Sequence, residues 1–508
     1  MTNESKFPRS SGILLPITSL YGPYGVGVLG KEAYEFIDFI HDCGFHAWQI
    51  LPVEQASMYS SSPYSCHSAF AGEPMLIDPR QLLDMGLITN SELNERMEGM
   101  NPGDIDYEAV REKQQKLLRA AFSRRADDSY KKFNPFWLNE YALFIALKHH
   151  NDLAAWFQWK DKGLRSHDGN TLKKYRKILS EDIEYHKFVQ WLFDMQWRKL
   201  RSYANEQGIS IIGDMPIYLA DDSAEVWSRR DLFNADEDGN FKYIGGVPPD
   251  YFTIDGQCWG NPIYNWKLMK NENYAWWVTR VKESLKRYDV VRIDHFRGFA
   301  DYWRIPGGSS TARVGKWIKG PGMSLFNALN KELGDLSLSL FAEDLGDSYG
   351  TVEKLIKDSG MRCMRVFQLG FLGLGEINHL PHNIPYESTV YTGTHDNAPL
   401  LAWMEAELTP EEREYALSYI NFKGDWKQRG ANTPIIKSWL RLLFMSNSSL
   451  AIVTLQDMLG YGPEARINTP GTASGNWRFR LRSGVLDEID KEFYKQLHKT
   501  YLREDPVK

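Results

Sequence analysis

Eight apolar runs recur along the chain: Gly12–Leu15, His46–Val53, Ile209–Tyr218, Tyr288–Asp294, Leu336–Leu345, Met361–Phe371, Thr389–Asn397 and Leu450–Leu459. Their length, and the β-branched residues in several of them, predict strands. Between the first two, Ala33, Phe36, Ile37 and Ile40 fall at i, i+3, i+4 and i+7, and Gly44 supplies a stop, so the spacing predicts a helix. Helical stretches also separate later runs, at Lys316–Leu333, Thr351–Asp358 and Pro410–Phe422. A strand, a helix and a second strand within about 50 residues is the unit of a parallel sheet. Eight such strands in one chain predict an α/β fold of the (β/α)8 barrel type.

The rhythm breaks once, between the second and third runs. Ser57–Pro74 is rich in Ser, Pro and Gly and reads as a loop, and a loop of that length in a compact domain is usually functional. Pro79–Ser202 is helical and amphipathic. The expected division is therefore a catalytic barrel in residues 1–55 and 203–508, with cleft loops at 219–266 and 456–474, and a mainly helical insertion in 56–202. A barrel core needs about 250 residues; the insertion and the loops account for the rest of the 508.

Four of the runs break into an acid where the apolar residues end: Asp214, Asp294, Glu343 and Asp396. In a (β/α)8 barrel the C-terminal strand ends converge on one mouth, where active sites lie. Arg292 and Asp294 are two apart on one strand and share a face, so the arginine favours the aspartate as an anion. That pair alone fits a structural ion pair as well as a reactive one. Glu343 closes an apolar run in a half-buried setting, where a carboxyl becomes a weaker acid. An anion and a weak acid facing one another are the arrangement of glycoside-bond chemistry. Asp396, with His395 beside it, is a third carboxylate at the mouth, suited to holding sugar hydroxyls. Asp214 serves the same purpose, supports the others, or caps the following helix.

Charge and composition narrow the partners. A net charge of −6 offers no electrostatic reason for nucleic acid or an anionic membrane. No apolar run approaches the roughly 20 residues of a membrane span. The N-terminal stretch MTNESKFPRSSG lacks a secretory core, and Cys43, Cys66, Cys258 and Cys363 have neither disulfide-like nor zinc-like spacing. The expectation is a cytoplasmic protein without a metal or other cofactor. The 17 Trp, 26 Tyr and 25 Phe are numerous, and several fall in loop-like stretches, Tyr64, Trp259 and Tyr264 among them. Aromatic faces on loops suit pyranose rings.

Nine ordered segments resemble the amylomaltase, or 4-α-glucanotransferase, family, glycoside hydrolase family 77. They are GILLPITSL, HAWQILP, SPYSCHSAFAG, GDMPIY, GVPPDYF with WGNPIYNW, RIDHFRG, FAEDLG, THDN and QDMLGYGPEARINTPGT, and they span nearly the whole chain. The resemblance implies Asp294 as nucleophile, Glu343 as acid/base and Asp396 as transition-state stabiliser. It implies that Arg292, His295 and His395 line the subsite of the cleaved sugar. Ser62 and Tyr64 fall in its glucan-contact loop, Asp250, Trp259 and Asn261 in the loop over the cleft, and Asn468 opposite. Where family members often read SPYQSFSAFAG, this chain has Ser65, Cys66 and His67 in place of QSF. The implied partners are maltooligosaccharides, amylose and other α-1,4-glucans, with glucose as an acceptor and no cofactor. Loops 57–74, 245–266 and 456–474 are the candidates for shielding an intermediate from water.

Overall fold

The computed structural model describes residues 7–57, 60–236, 238–249, 254–346, 350–373, 377–472 and 474–507. In chain order its strands are β1 (Ser10–Leu14), β2 (Ala47–Gln49), β3 (Ser210–Pro216), β4 (Tyr243–Val247), β5 (Gln257–Pro262), β6 (Val290–Asp294), β7 (Asp301–Pro306), β8 (Lys316–Lys319), β9 (Leu340–Ala342), β10 (Cys363–Val366), β11 (Ser388–Tyr391) and β12 (Leu450–Thr454). Eight of them form one parallel sheet in the order β10-β11-β12-β1-β2-β3-β6-β9. A bridge between Phe341 and Arg362, with the Ala342 N–H donating to the Arg362 carbonyl at 3.0 Å, joins the two ends into a barrel.

Strand alternation sorts the core into an inside and an outside. Leu14, Ala47, Ile212, Val290, Phe341, Met364, Tyr391, Leu450 and Ile452 fill the barrel interior. Their neighbours Ile13, Trp48, Ile211, Val291, Leu340, Val390 and Ala451 pack outward in the helix layer. The same alternation carries the interior face of β3 from Ile212 to Asp214, and that of β6 from Val290 through Arg292 to Asp294. The predicted helix is present at Lys31–Asp42, with Gly44 following at φ +82°.

The helical insertion lies between β2 and β3, as the pattern predicts. Its last helix, Ser180–Glu206, crosses residue 202, the expected boundary, and runs to the start of β3. Trp197 on that helix donates to the Arg287 carbonyl at 3.1 Å and meets the Tyr288 ring edge-on. The insertion therefore shares a core with the base of β6.

Two expectations need correction. Residues 219–266 are not loop throughout: β4 and β5 join β7 and β8 in a four-stranded antiparallel sheet, ordered β5-β4-β7-β8. The helix expected over Lys316–Leu333 begins only at Met323, because Gly320–Pro321–Gly322 breaks it, with Gly322 at φ +55°. Lys316–Lys319 before that break is an edge strand with its side chains largely exposed.

Candidate active site

The site is built on the C-terminal ends of β3, β6, β9 and β11. Its centre is Arg292, whose side chain is almost wholly buried. One guanidinium nitrogen contacts Asp214 Oδ2 at 2.5 Å and another contacts Asp294 Oδ1 at 3.0 Å. Asp214 lies opposite Arg292 in the β3–β6 register. Burial alone would lower the basicity of Arg292, but the two carboxylates outweigh it and hold its pKa well above the ordinary value. Asp214 also accepts the Tyr64 hydroxyl at 2.7 Å. Tyr64 has a single proton and gives it to Asp214, so the 2.8 Å contact between its oxygen and His395 Nε2 requires an Nε2–H on the histidine.

Glu343 follows β9, and its backbone N–H donates to the Ile293 carbonyl at 2.9 Å. Its carboxylate accepts two backbone N–H groups, His295 to Oε2 at 2.8 Å and Leu345 to Oε1 at 2.7 Å. The first donor immediately follows Asp294, so the two carboxyl groups share one peptide corner. His295 makes that corner with φ +51°, a left-handed conformation that a side chain bears at a cost. Burial raises the Glu343 pKa to about 7; Arg292 opposes the rise and the charge of Asp294 supports it.

Asp396 is set the other way. Burial pushes its pKa up, but His395 at 3.3 Å and an Asn468 Nδ2–H at 2.6 Å outweigh burial and hold it below the usual carboxylate range. The His395 imidazole is raised in turn: burial lowers it, and Asp396 more than reverses that. At His295 burial outweighs the nearby Asp294 and lowers the pKa to about 4.

These groups open onto a cavity of about 480 Å³. Asp294, His295, Glu343 and Asp396 line it together with Ser62, Tyr64, Trp259 and Asn261. The Trp259 ring meets His295 edge-on at 4.8 Å, and Asn261 donates to the Leu219 carbonyl at 2.7 Å. Asp214, Arg292 and His395 stand behind this wall, each at most 3% exposed, and act on the cavity through their neighbours. Asn468 holds Asp396. Asp250 lies outside the described residues.

Other contributors were not picked out, although Tyr218 closes the GDMPIY segment and Arg466 lies in QDMLGYGPEARINTPGT. Tyr218 and Asp221 line the cavity just past β3, where the strand-end rule would have found them. Arg466 donates to the Asp396 carbonyl at 3.1 Å, and Trp477 packs near Tyr64 and His395. Both come from the C-terminal segment, and only folding brings them here. Where the chain departs from the family motif, Ser65 lines the cavity. Cys66 turns to the Pro63 carbonyl, and buried His67 bonds the Asp222 carbonyl at 3.0 Å.

Known proteins resemble this chain in sequence and fold. A family model described as 4-alpha-glucanotransferase matches residues 15–486. The 4-alpha-glucanotransferase of Streptococcus pneumoniae serotype 4 is 40% identical over 502 residues, covering 97% of each chain. That of Aquifex aeolicus is 41% identical over 98% of this chain and 100% of the relative. A solved amylomaltase from Streptococcus agalactiae, in complex with acarbose, superposes with a TM-score of 0.93 at 39% identity, covering 98% of this chain and 100% of that one. The amylomaltase of Corynebacterium glutamicum, at 17% identity and a TM-score of 0.77, shares the fold. By sequence and fold, the chain belongs to the 4-alpha-glucanotransferase family, glycoside hydrolase family 77.

Proposed function

We propose that the chain is a retaining 4-α-glucanotransferase in which Asp294, Glu343 and Asp396 perform the chemistry. The observation that carries the assignment is the contrast between two carboxyl groups on one corner. Asp294 faces the Arg292 guanidinium, whereas Glu343 is raised to about 7 by burial. In the first half-reaction Glu343 gives its proton to the glycosidic oxygen as the C1–O bond breaks, and an Asp294 oxygen bonds to C1. In the second, the 4-OH of an acceptor glucan or glucose attacks C1 and passes its proton to the Glu343 carboxylate. The Asp294–C1 bond breaks in the same displacement, freeing the Asp294 carboxylate, and two inversions leave the α configuration unchanged.

Asp396, kept ionised by His395 and Asn468, is suited to gripping hydroxyls of the distorted sugar and stabilising positive charge at C1. Tyr64 and Trp259 offer aromatic faces along the cavity. Donors are maltooligosaccharides, amylose and other α-1,4-glucans, and the absence of bridges among the four thiols supports a reducing, cytoplasmic setting. Chromatography of products from maltotriose tests the reading. The expected result is a ladder of longer maltodextrins with little gain in reducing ends. Shorter sugars with new reducing ends would make the protein an α-1,4-glucan hydrolase instead.

A further inference from the structure

The loop that carries His395 and Asp396 runs from Thr392, just past β11, to Leu400, where the helix Leu400–Ala406 begins. Both of its ends are held by one buried side chain that the cleft chemistry does not use, Asp457. Tyr391 lies opposite Ile452 in the β11–β12 register, so the two strands end side by side. After β12 the chain turns at once into the short helix Leu455–Met458, with the Thr454 hydroxyl accepting the Asp457 N–H at 3.2 Å. That turn sets the Asp457 carboxyl against the neighbouring loop. Its Oδ2 accepts the Thr392 hydroxyl, and its Oδ1 accepts the Leu400 N–H at 2.6 Å.

Thr392, Leu400 and Asp457 are each at most 1% exposed. Among the described residues no arginine, lysine or histidine bonds Asp457. A carboxyl buried without a cation is costly, and here its two oxygens go to the two ends of one loop. The Leu400 N–H is among those that the first turn of a helix leaves unmet, and Pro399 before it has no side chain able to cap it. Asp457 provides that acceptor from another strand. The middle of the loop rests on the same stretch of chain. The Asn468 N–H donates to the His395 carbonyl at 3.1 Å, and Arg466 reaches the Asp396 carbonyl. Gln368 adds a bond from a third direction, to the Ala398 carbonyl at 2.9 Å.

We propose that Asp457 is a positioning residue for the transfer reaction: by closing both ends of the loop 392–400 it sets where the Asp396 carboxylate stands in the cleft. The inference rests on the role given to Asp396 above. Asp457 does not line the cavity, whereas Asp396 does, so its influence passes through the loop. A group that must meet a transition state tolerates little displacement; about 1 Å costs about 10²-fold in rate.

Steady-state kinetics on maltotriose test the clamp. Thr392→Val keeps the shape of the side chain and removes the donor, so kcat should fall by about tenfold with KM changed by less than about twofold. Thr392→Ser restores the hydroxyl and should restore kcat. Asp457→Ala frees both ends and should lower kcat by about 10²-fold. A clamp that is only structural would lower Tm and leave kcat of the folded protein unchanged. A Thr392→Val kcat equal to wild type, or a loss that Thr392→Ser shares, overturns the proposal, even if Asp457→Ala does not fold. Asp396→Ala, measured alongside, separates the clamp from the reading beneath it. Near wild-type turnover there would remove the role of Asp396 itself, whereas a full loss there with Thr392→Val at the wild-type rate defeats the clamp alone.

Discussion

The two ends of the barrel interior solve the problem of a buried arginine in opposite ways. At the C-terminal mouth Arg292 is paired with carboxylates on two strands, and one of them, Asp214, also accepts the Tyr64 hydroxyl. At the N-terminal end Arg503 meets carbonyl and hydroxyl oxygens, Arg9 meets carbonyl oxygens, and two nitrogens of Arg362 have no partner among the described residues. The first arrangement separates the behaviour of neighbouring acids, which is what catalysis needs. The second ties loops and strand ends together with directional bonds. Arg292, Arg362 and Arg503 are all buried, so the distinction lies in whether acids face the cation.

The mouth can be broken from its centre outward. Asp294→Asn removes the nucleophile and should lower transfer by roughly 10⁴-fold or more, with glucan binding retained by calorimetry; turnover at near wild-type rate would defeat the mechanism. Glu343→Gln should cost about 10²–10⁴-fold and should also change the pH profile. Glu343 must be protonated to act as the acid. In the wild type kcat/KM should therefore fall as pH rises through about 7, and in Glu343→Gln that limb should be gone. A wild-type alkaline limb that survives the substitution would assign it to another group.

Asp214→Ala sharpens the comparison most directly, because it leaves Arg292 with Asp294 as its one remaining carboxylate partner among the described residues. Losing one partner of a buried pair costs about 3–5 kcal/mol, read by denaturant unfolding, and activity should fall with stability. The smallest effect belongs to Asn468→Ala. It removes one hydrogen bond to Asp396, so about a tenfold loss in kcat/KM is expected, with little change in unfolding. A larger loss there than at Glu343 would reverse the ranking of the two acids.

Much of the mouth was legible before folding. Acids that end apolar runs stand out in one dimension, and the barrel rule then brings Asp294, Glu343 and Asp396 together. Strand limits were less legible: only Ala47–Gln49 of His46–Val53 pairs in the sheet, since apolar character continues past the last ladder bond. The antiparallel sheet escaped notice because β4 and β5 carry glycines and β8 is an exposed edge, so none shows a clean alternation. That Asp214 is the second partner of Arg292 required knowing that β3 and β6 are neighbours. The clamp of Asn468 on Asp396 depends on a crossing of distant segments that no local spacing records.

The place of β1 in the sheet has a consequence for the protein's birth on the ribosome. Its two neighbours are β2, which follows at once, and β12, so Ser10 must find Leu450. At a synthesis rate of about 5–20 residues per second, one edge of the first strand waits tens of seconds for its partner. During that wait the nascent chain carries an open, apolar sheet edge, the kind of surface that chaperones and aggregation compete for. A circular permutant that begins just before β12 would make those two strands successive, and its yield of soluble protein in the absence of chaperones should exceed that of the natural order.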